Sequence, residues 1–401
     1  PNYYTFCRWR VLQRFVNANL NVLGTQSLLL GLGIQSTGAG KLGVLTAAQR
    51  WVLKDALGKV TRMLWASKMG RKFDSDCKRW RFRSSFVYAL GNGLEIATYM
   101  SPSLFLVWAT LANCCKQISM LTSSSTRTSI YNSFRDGSRE NISDITAKGE
   151  AQIAIVDLVG IASGVLGSRL LGTGVRAILS VYALLQTLEL FCVYHEMRAV
   201  CYRVLNFERL NRAIREFLDG GLSTPSQVAK TEKIFLPPNR LDRRSLAFGS
   251  LGRAKLSPDE LRELLRICRR ERFLLVVGPD IKNQGRTWRK LFRGREKNRL
   301  AEHCHIVLHK DATNVDIVKS TLALTLLRRE LVRKWQNAKY APRSSDCYDM
   351  IEKGLSESDS LFPNLLKLMS SHGWESPARF MFGRVHMRAE WPLKSRTRPA
   401  R

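Results

Sequence analysis

The residues whose types and spacing could do chemistry cluster between Trp51 and Arg83. Lys54, Asp55 and Gly58 are followed by Lys68, Arg71, Lys72, Lys78, Arg79, Arg81 and Arg83, with apolar segments on either side. A cationic joint between apolar helices can hold an anion. It can also meet the headgroups of an anionic membrane, where each basic residue contributes on the order of 1 kcal/mol. The competing role is structural, with Asp74 and Asp76 pairing these cations internally. Asp55 sits one helical turn before Lys59, and on a surface such a pair is worth about 0.2–0.5 kcal/mol. In an apolar setting the charges of Lys54 and Asp55 are expensive unless they are paired or used.

Other candidates are weaker. Gly38, Gly40 and Gly43 match G-x-G-x-x-G, but the preceding run reads as helix rather than strand. Asp55 also comes too early to meet a ribose, so a flexible connector is the better reading. His303, Cys304, His305 and His309 have ligand-like spacing without a second pair to complete a tetrahedral site, so no metal is expected. Trp288 and Phe292 interleave a basic run from Lys282 to Arg299 that reads as a solvated loop, since no nucleic-acid-binding module frames it. Neither G-x-S-x-G nor H-E-x-x-H occurs. No catalytic residue and no cofactor is expected.

The totals bound the reading. The chain has 401 residues, a formal net charge of +31 and 45% apolar residues. It is long enough for two or three domains and too apolar to be disordered. The charge calls for an anionic partner. The nine cysteines follow no regular spacing, which points to a reducing compartment and buried thiols. The opening at Pro1 reads as a fragment or processed form, with any targeting peptide outside it.

The elements that must position these residues are mainly α. Residues 3–34 read as an amphipathic helix on the period of Trp9, Leu12, Phe15, Val16, Leu20 and Leu23, followed by a glycine-marked break and a helix over 47–65. Apolar helices are expected over 84–100, 103–120, 151–168 and 177–194, with a polar stretch at 121–150 and a basic amphipathic helix at 195–219. The apolar helices embed Asn92, Glu95, Asp157, Gln186 and Glu189; polar groups in such helices are core exceptions or a path for a solute. Paired as two hairpins, these segments would return the basic stretches 59–83 and 195–215 to one side of a bilayer.

The expected organisation is a helical, membrane-associated bundle over 1–221, a linker over 222–257, a small α+β domain over 258–393 and a basic disordered tail over 394–401. In the second domain Ser257 caps a helix, 273–277 and 305–309 are strands, and helices follow at 315–335, 345–354 and 358–371.

Trp51–Asp55 with Gly58, Phe73-Asp74, Lys78-Arg79, Asn113 with Lys116-Gln117-Ile118, Thr126-Arg127, Asp144–Lys148 with Gln152, and the opening Tyr4, Gln13 and Thr25-Gln26 form an ordered set. Lys310–Asn314, Gly373-Trp374 and Arg388–Trp391 continue it. This set resembles the root UVB sensitive family of plants and other eukaryotes. Ala56 departs from it, since the family commonly has Gly after Lys-Asp. The resemblance implies a plant protein, often plastid-directed, tied to UV-B responses, early seedling and root development, vitamin B6 homeostasis and auxin transport. It also implies pairing with a family paralogue, membrane association and no established enzymatic activity.

Three functions follow as expectations. The first is a membrane-associated, non-enzymatic protein of a plastid or chloroplast membrane that takes part in small-molecule homeostasis or transport. The second is a soluble helical scaffold that binds partner proteins. The third, suggested by charge alone, is a nucleic-acid binder, and no nucleic acid is expected as partner. The candidate functional residues are Lys54, Asp55, Lys78, Arg79, Arg81, Lys116, Lys148, Asp157 and Glu189.

Overall fold

The structure, a computed structural model, describes residues 2–36, 40–69, 73, 76–135, 142–235, 248–249, 251–254, 256–277, 304–336, 344–379 and 388–392. The chain is mainly α and forms two compact units. One is Pro1–Cys201 with Glu232–Pro237; the other is Tyr202–Thr231 with Pro238–Arg401. The expected first domain ends at 221, whereas the contacts divide the chain after Cys201. The reason is local. The helix expected over 195–219 stops at Ala199 and restarts at Phe207, where the Asn206 side chain accepts the Arg209 N–H at 2.9 Å as an N-cap.

The first unit is built from α1 (Asn2–Ser36), α2 (Gly40–Met69), α3 (Cys77–Met100), α4 (Phe105–Asn132), α5 (Ile142–Leu171) and α6 (Val175–Ala199). The helices alternate in direction. At one end Tyr3 and Phe6 lie 5.5 and 4.9 Å from Phe134, just past α4. At the other, Gln26 donates to the Gly172 carbonyl at 3.2 Å and the Tyr99 hydroxyl donates to that of Thr173 at 2.8 Å. Helix α1 packs on α5 so closely that a Cβ at Gly160 would come 2.7 Å from the Ala18 Cβ and 3.0 Å from the Phe15 carbonyl oxygen. Small residues one turn apart let helix backbones approach in this way.

Several boundaries differ from the expected ones. The expected break before residue 47 is shorter: Gly31 and Gly33 lie within α1, Gly40 and Gly43 within α2, and residues 37–39 lie outside the described set. Much of the polar stretch 121–150 is helical. The hydroxyls of Thr122 and Thr126 donate to the carbonyls of Ile118 and Thr122, which satisfies them within the helix. Helix α3 starts seven residues earlier than expected and takes in the end of the cationic joint.

The second unit contains α7 (Phe207–Leu218), α8 (Pro225–Thr231), α9 (Pro258–Ile267), β1 (Phe273–Val277), β2 (Cys304–His309), α10 (Asn314–Gln336), α11 (Ser344–Ser371) and β3 (Arg388–Ala389). Ser257 opens α9 with a capping box to Glu260. Strand β1 is buried along its whole length, pairs antiparallel with β2 in the register Leu275↔Ile306, and β2 pairs parallel with β3. The two helices expected over 345–371 are one helix, with the exposed Pro363 inside it. The linker expected over 222–257 holds α8 and a single turn at Leu251–Ala254.

Candidate functional site: the polar interior of the helical bundle

Helix α1 carries Arg10, Gln13, Arg14, Asn17 and Asn21 at spacings of three and four, which puts them on one face. Helix α3 answers with Arg81, Ser85, Tyr88, Asn92 and Glu95, α4 with Lys116, Ser119, Ser123 and Arg127, and α6 with Gln186, Glu189 and Glu196. These faces meet inside the bundle. Glu189 is 2% exposed and accepts from Gln13 at 2.9 Å, Gln186 at 2.6 Å and Asn17 at 3.5 Å. Asn92 donates to Gln186 at 3.1 Å. Asn21 donates to Asn17 at 3.1 Å, and its carbonyl accepts from the Tyr88 hydroxyl at 2.7 Å and from Lys116 Nζ at 3.4 Å. Lys116 closes on Glu95 at 2.6 Å. The result is one connected network from α4 to α6, where burial makes each satisfied bond count and each missing partner costly.

Beside it lies a ring of guanidinium groups. Arg14 grips Asp157 with Nε and Nη2, and Arg127 donates Nη1 to Glu150 at 2.7 Å. Glu196, with a fully buried side chain, sits between Arg10 at 3.7 Å and Arg81 at 3.9 Å, and neither of its oxygens accepts a hydrogen bond from a described residue. Two cavities open here, of about 280 and 270 Å³, and Arg14, Arg81, Ser123 and Arg127 line both. A larger groove of about 650 Å³ shares Arg14, Asn17 and Asn21 with the first cavity and runs along apolar residues of α1 and α5, including Leu29, Ile161 and Val165. Each carboxylate faces a cation or an amide rather than a second carboxylate, so the arrangement suits holding a charged solute better than acid–base chemistry.

A model of the family described as the vitamin B6 photo-protection and homoeostasis domain matches residues 1–221, more than half of the chain. The chain belongs to the root UVB sensitive family. It is 33% identical over 312 residues to Protein root UVB sensitive 6 of Arabidopsis thaliana, which covers 77% of this chain and 60% of that protein. It is 29% identical over 384 residues to Protein root UVB sensitive 2, chloroplastic, of the same plant, covering 95% of this chain and 79% of that one. RUS family member 1 of Dictyostelium discoideum is 27% identical over 248 residues, covering 61% of this chain and 46% of that protein. No solved structure matches the chain.

The residues that carried the family resemblance have structural roles that can be stated. Lys54 is 7% exposed, lies 4.0 Å over the Trp51 ring and pairs with Asp55 at 3.3 Å rather than standing on a solvated face. Asn113 of α4 donates to the Lys54 carbonyl at 3.0 Å and to Asp55 at 3.3 Å. A Cβ at Gly58 would collide with the Asn113 amide, so the glycine holds α2 against α4. Asp55 therefore meets Lys54 and Asn113, while Lys59 is exposed.

The cationic joint is largely consumed inside the unit. Lys78 is 4% exposed and bonds Glu232 at 3.0 Å. Arg79 is 3% exposed, bonds Asp76 at 2.8 Å and donates to the Lys233 carbonyl at 2.9 Å. Arg81 alone of the three turns into the cavities. Arg71, Lys72 and Asp74 lie outside the described residues. Lys148 is exposed on α5 and pairs with Asp144 one turn back at 2.9 Å, away from the network. Asp157 and Glu189 both reach the site.

In the second unit, Cys304 and His309 are buried on β2, and the His309 ring contacts the Trp391 carbonyl at 3.1 Å. Burial pushes the Cys304 thiol up to about 12, with Arg328 pulling weakly the other way. His303 and the basic run 282–299 lie outside the described residues, and no group of three metal-ligating side chains occurs among the described ones.

Sequence reasoning singled out Arg81, Lys116, Asp157 and Glu189 but did not assign Arg10, Arg14, Arg127 or Glu196 to a site. The signal for α1 was present as polar residues recurring every three or four positions.

Proposed function

We propose that the chain is a membrane-embedded, non-enzymatic protein that binds a small solute in the polar interior of its helical bundle, and that it acts in vitamin B6 homeostasis and the UV-B response. The observation that carries the reading is an inverted polarity. Leu158, Leu166 and Leu170 of α5 and Leu184 of α6 are 61–83% exposed, while Gln13, Asn92, Glu189 and Glu196 are 0–3% exposed. Pro102–Asn132, Thr146–Leu171 and Val175–Ala199 are long and apolar enough to cross a bilayer. Lipid favours apolar residues outside and tolerates ionisable ones only where they are paired inside a bundle. A soluble scaffold would leave these exposed leucines of neighbouring helices in water. The family description supports the link to vitamin B6, and the name of one relative, which calls it chloroplastic, supports a plastid location. A paralogue of the family fits as a partner in the membrane.

The test is an alkaline carbonate wash of membranes from cells that express the whole chain. The protein is expected to stay in the pellet and to leave it only with detergent. Complete release by carbonate would sink the membrane reading.

A further inference from the structure

Arg14, Arg81 and Arg127 stand on three different helices and share the wall between two cavities with the hydroxyl of Ser123. A guanidinium carries five N–H donors. Arg14 spends Nε and Nη2 on Asp157, which leaves Nη1. Arg127 spends Nη1 on Glu150, which leaves Nε and Nη2. The Arg81 side chain is 14% exposed, and its guanidinium donates no hydrogen bond to any described residue; its nearest carboxylate, Glu196, is 3.9 Å away. Guanidinium groups with unspent donors, carried by three helices, thus line one space. A planar carboxylate with two oxygens uses one guanidinium edge well, whereas a tetrahedral phosphate offers three oxygens to three donors. The two cavities, about 280 and 270 Å³, together fall within the roughly 300–1,000 Å³ usual for small-molecule pockets. Tyr88 and Asn21 line the first of them, so there is a polar-aromatic wall for the body of a ligand beyond its anionic head.

We infer that the bundle interior is a binding site for a phosphate monoester, with Arg14, Arg81, Arg127 and Ser123 holding the phosphate. The inference rests on the solute-binding reading above and names the chemistry of the solute. The ester could be soluble or the headgroup of a lipid such as phosphatidic acid, since the apolar groove adjoins the same arginine.

The experiment uses the full chain in neutral-lipid nanodiscs and calorimetric titration. The probes are pyridoxine 5′-phosphate (whose alcohol cannot form an imine with lysine), pyridoxine, inorganic phosphate and indole-3-acetate. Pyridoxine 5′-phosphate is expected to bind, and pyridoxine and indole-3-acetate to bind far more weakly. Arg81→Gln should weaken it by about ten- to a hundredfold, the loss expected for one charged hydrogen-bonding group, and Ser123→Ala by a smaller factor. Lys148→Gln should leave it unchanged, because Lys148 is exposed, pairs with Asp144 and lines neither cavity. Should Arg81→Gln fail to fold, Arg127→Lys, which keeps the charge and loses the fork, serves in its place. Competition by phosphatidic acid in the discs would support the same chemistry and assign it to a lipid. Equal binding of pyridoxine and its phosphate, no binding of the phosphate ester, tighter binding of indole-3-acetate, or inorganic phosphate matching the ester would overturn the inference. So would an affinity untouched by Arg81→Gln. None of these results bears on carbonate resistance, so the two readings fail separately.

Discussion

Lys116→Met tests whether the bundle interior is dry enough for its charges to matter. Lys116 Nζ lies 2.6 Å from Glu95, with side-chain exposures of 12% and 10%. The same ammonium lies 3.4 Å from Asn21 and 5.3 Å from the Tyr88 ring. Methionine keeps the length and apolar stem and removes the charge, which strands the Glu95 carboxylate. Removing one member of a buried pair costs about 3–5 kcal/mol, whereas an exposed pair is worth about 0–1 kcal/mol. The loss of the Tyr88 contact adds about 0.5–2 kcal/mol if it is desolvated. The double variant Lys116→Met with Glu95→Leu should recover most of the loss, since replacing both members of a buried pair by apolar residues is often neutral. The assay is reversible unfolding in mixed micelles at neutral pH, with the two single variants and the double variant forming a cycle. If Lys116→Met costs less than about 1 kcal/mol, the pair behaves as a solvated one and the argument from a buried polar interior fails.

Two further outcomes are expected in the second unit. Burial pushes the Glu216 carboxyl up, but the Arg212 side chain at 2.7 Å and the Ser223 N–H at 2.8 Å outweigh it and hold the group below its ordinary value of 4.5. A depressed carboxyl stabilises the folded state above its unfolded pKa and loses that contribution as pH falls through the folded one. The difference in urea midpoint between the wild type and Glu216→Gln should therefore be present at pH 7 and shrink below about pH 4.5; a difference independent of pH would refute it. Pro363 is exposed inside α11, where it removes a helix hydrogen bond without packing in exchange. Pro363→Ala should raise stability by about 1–3 kcal/mol in the same assay, and a loss would show that the proline is used.

Much of this fold is legible in the sequence because its signals are local. Ser257-Pro258 with Glu260 announces a capped helix, and the unbroken apolar run of β1 announces a buried strand. What fails is also physical. The hydroxyl-rich end of α4, from residue 121, reads as a polar connection because nothing in its composition says that Thr122 and Thr126 will bond their own helix. Strand β3 has two residues and exists only through its pairing with β2, a contact distant in sequence. The break expected between 354 and 358 does not form, because Leu355 and Ser358 are buried and α11 runs through it. The candidate site divides in the same way. Glu95, Asp157 and Glu189 stand out because ionisable residues in apolar runs are expensive, and all three meet partners inside the bundle, Glu95 through the Lys116 of the family motif. Lys78 and Arg79 stand out for charge density, but the acid that neutralises Lys78 lies 154 residues further on.

Helix α1 shows why the rest could not be read. Its period predicts two faces and does not say which is inside. Val16, Leu20 and Leu23 are buried as an amphipathic reading expects, but Gln13 and Asn17 are buried too, at 3% and 7% exposure, while Leu12 is 39% exposed. How much of an amphipathic helix turns inward is decided by what surrounds it. A bundle in hydrocarbon would keep its polar stripe inside. The arginines share that stripe. In water Arg14, Arg81 and Arg127 would be three solvated charges with little hold on an anion. On α1, α3 and α4 they line the same two cavities, with side-chain exposures of 33%, 14% and 36%, and a bundle in lipid would make charge–charge energies there several times larger. On the reading proposed above the two are one design: an apolar exterior would place the bundle in lipid, and the low dielectric there would make three partly used guanidinium groups a strong site for a phosphate.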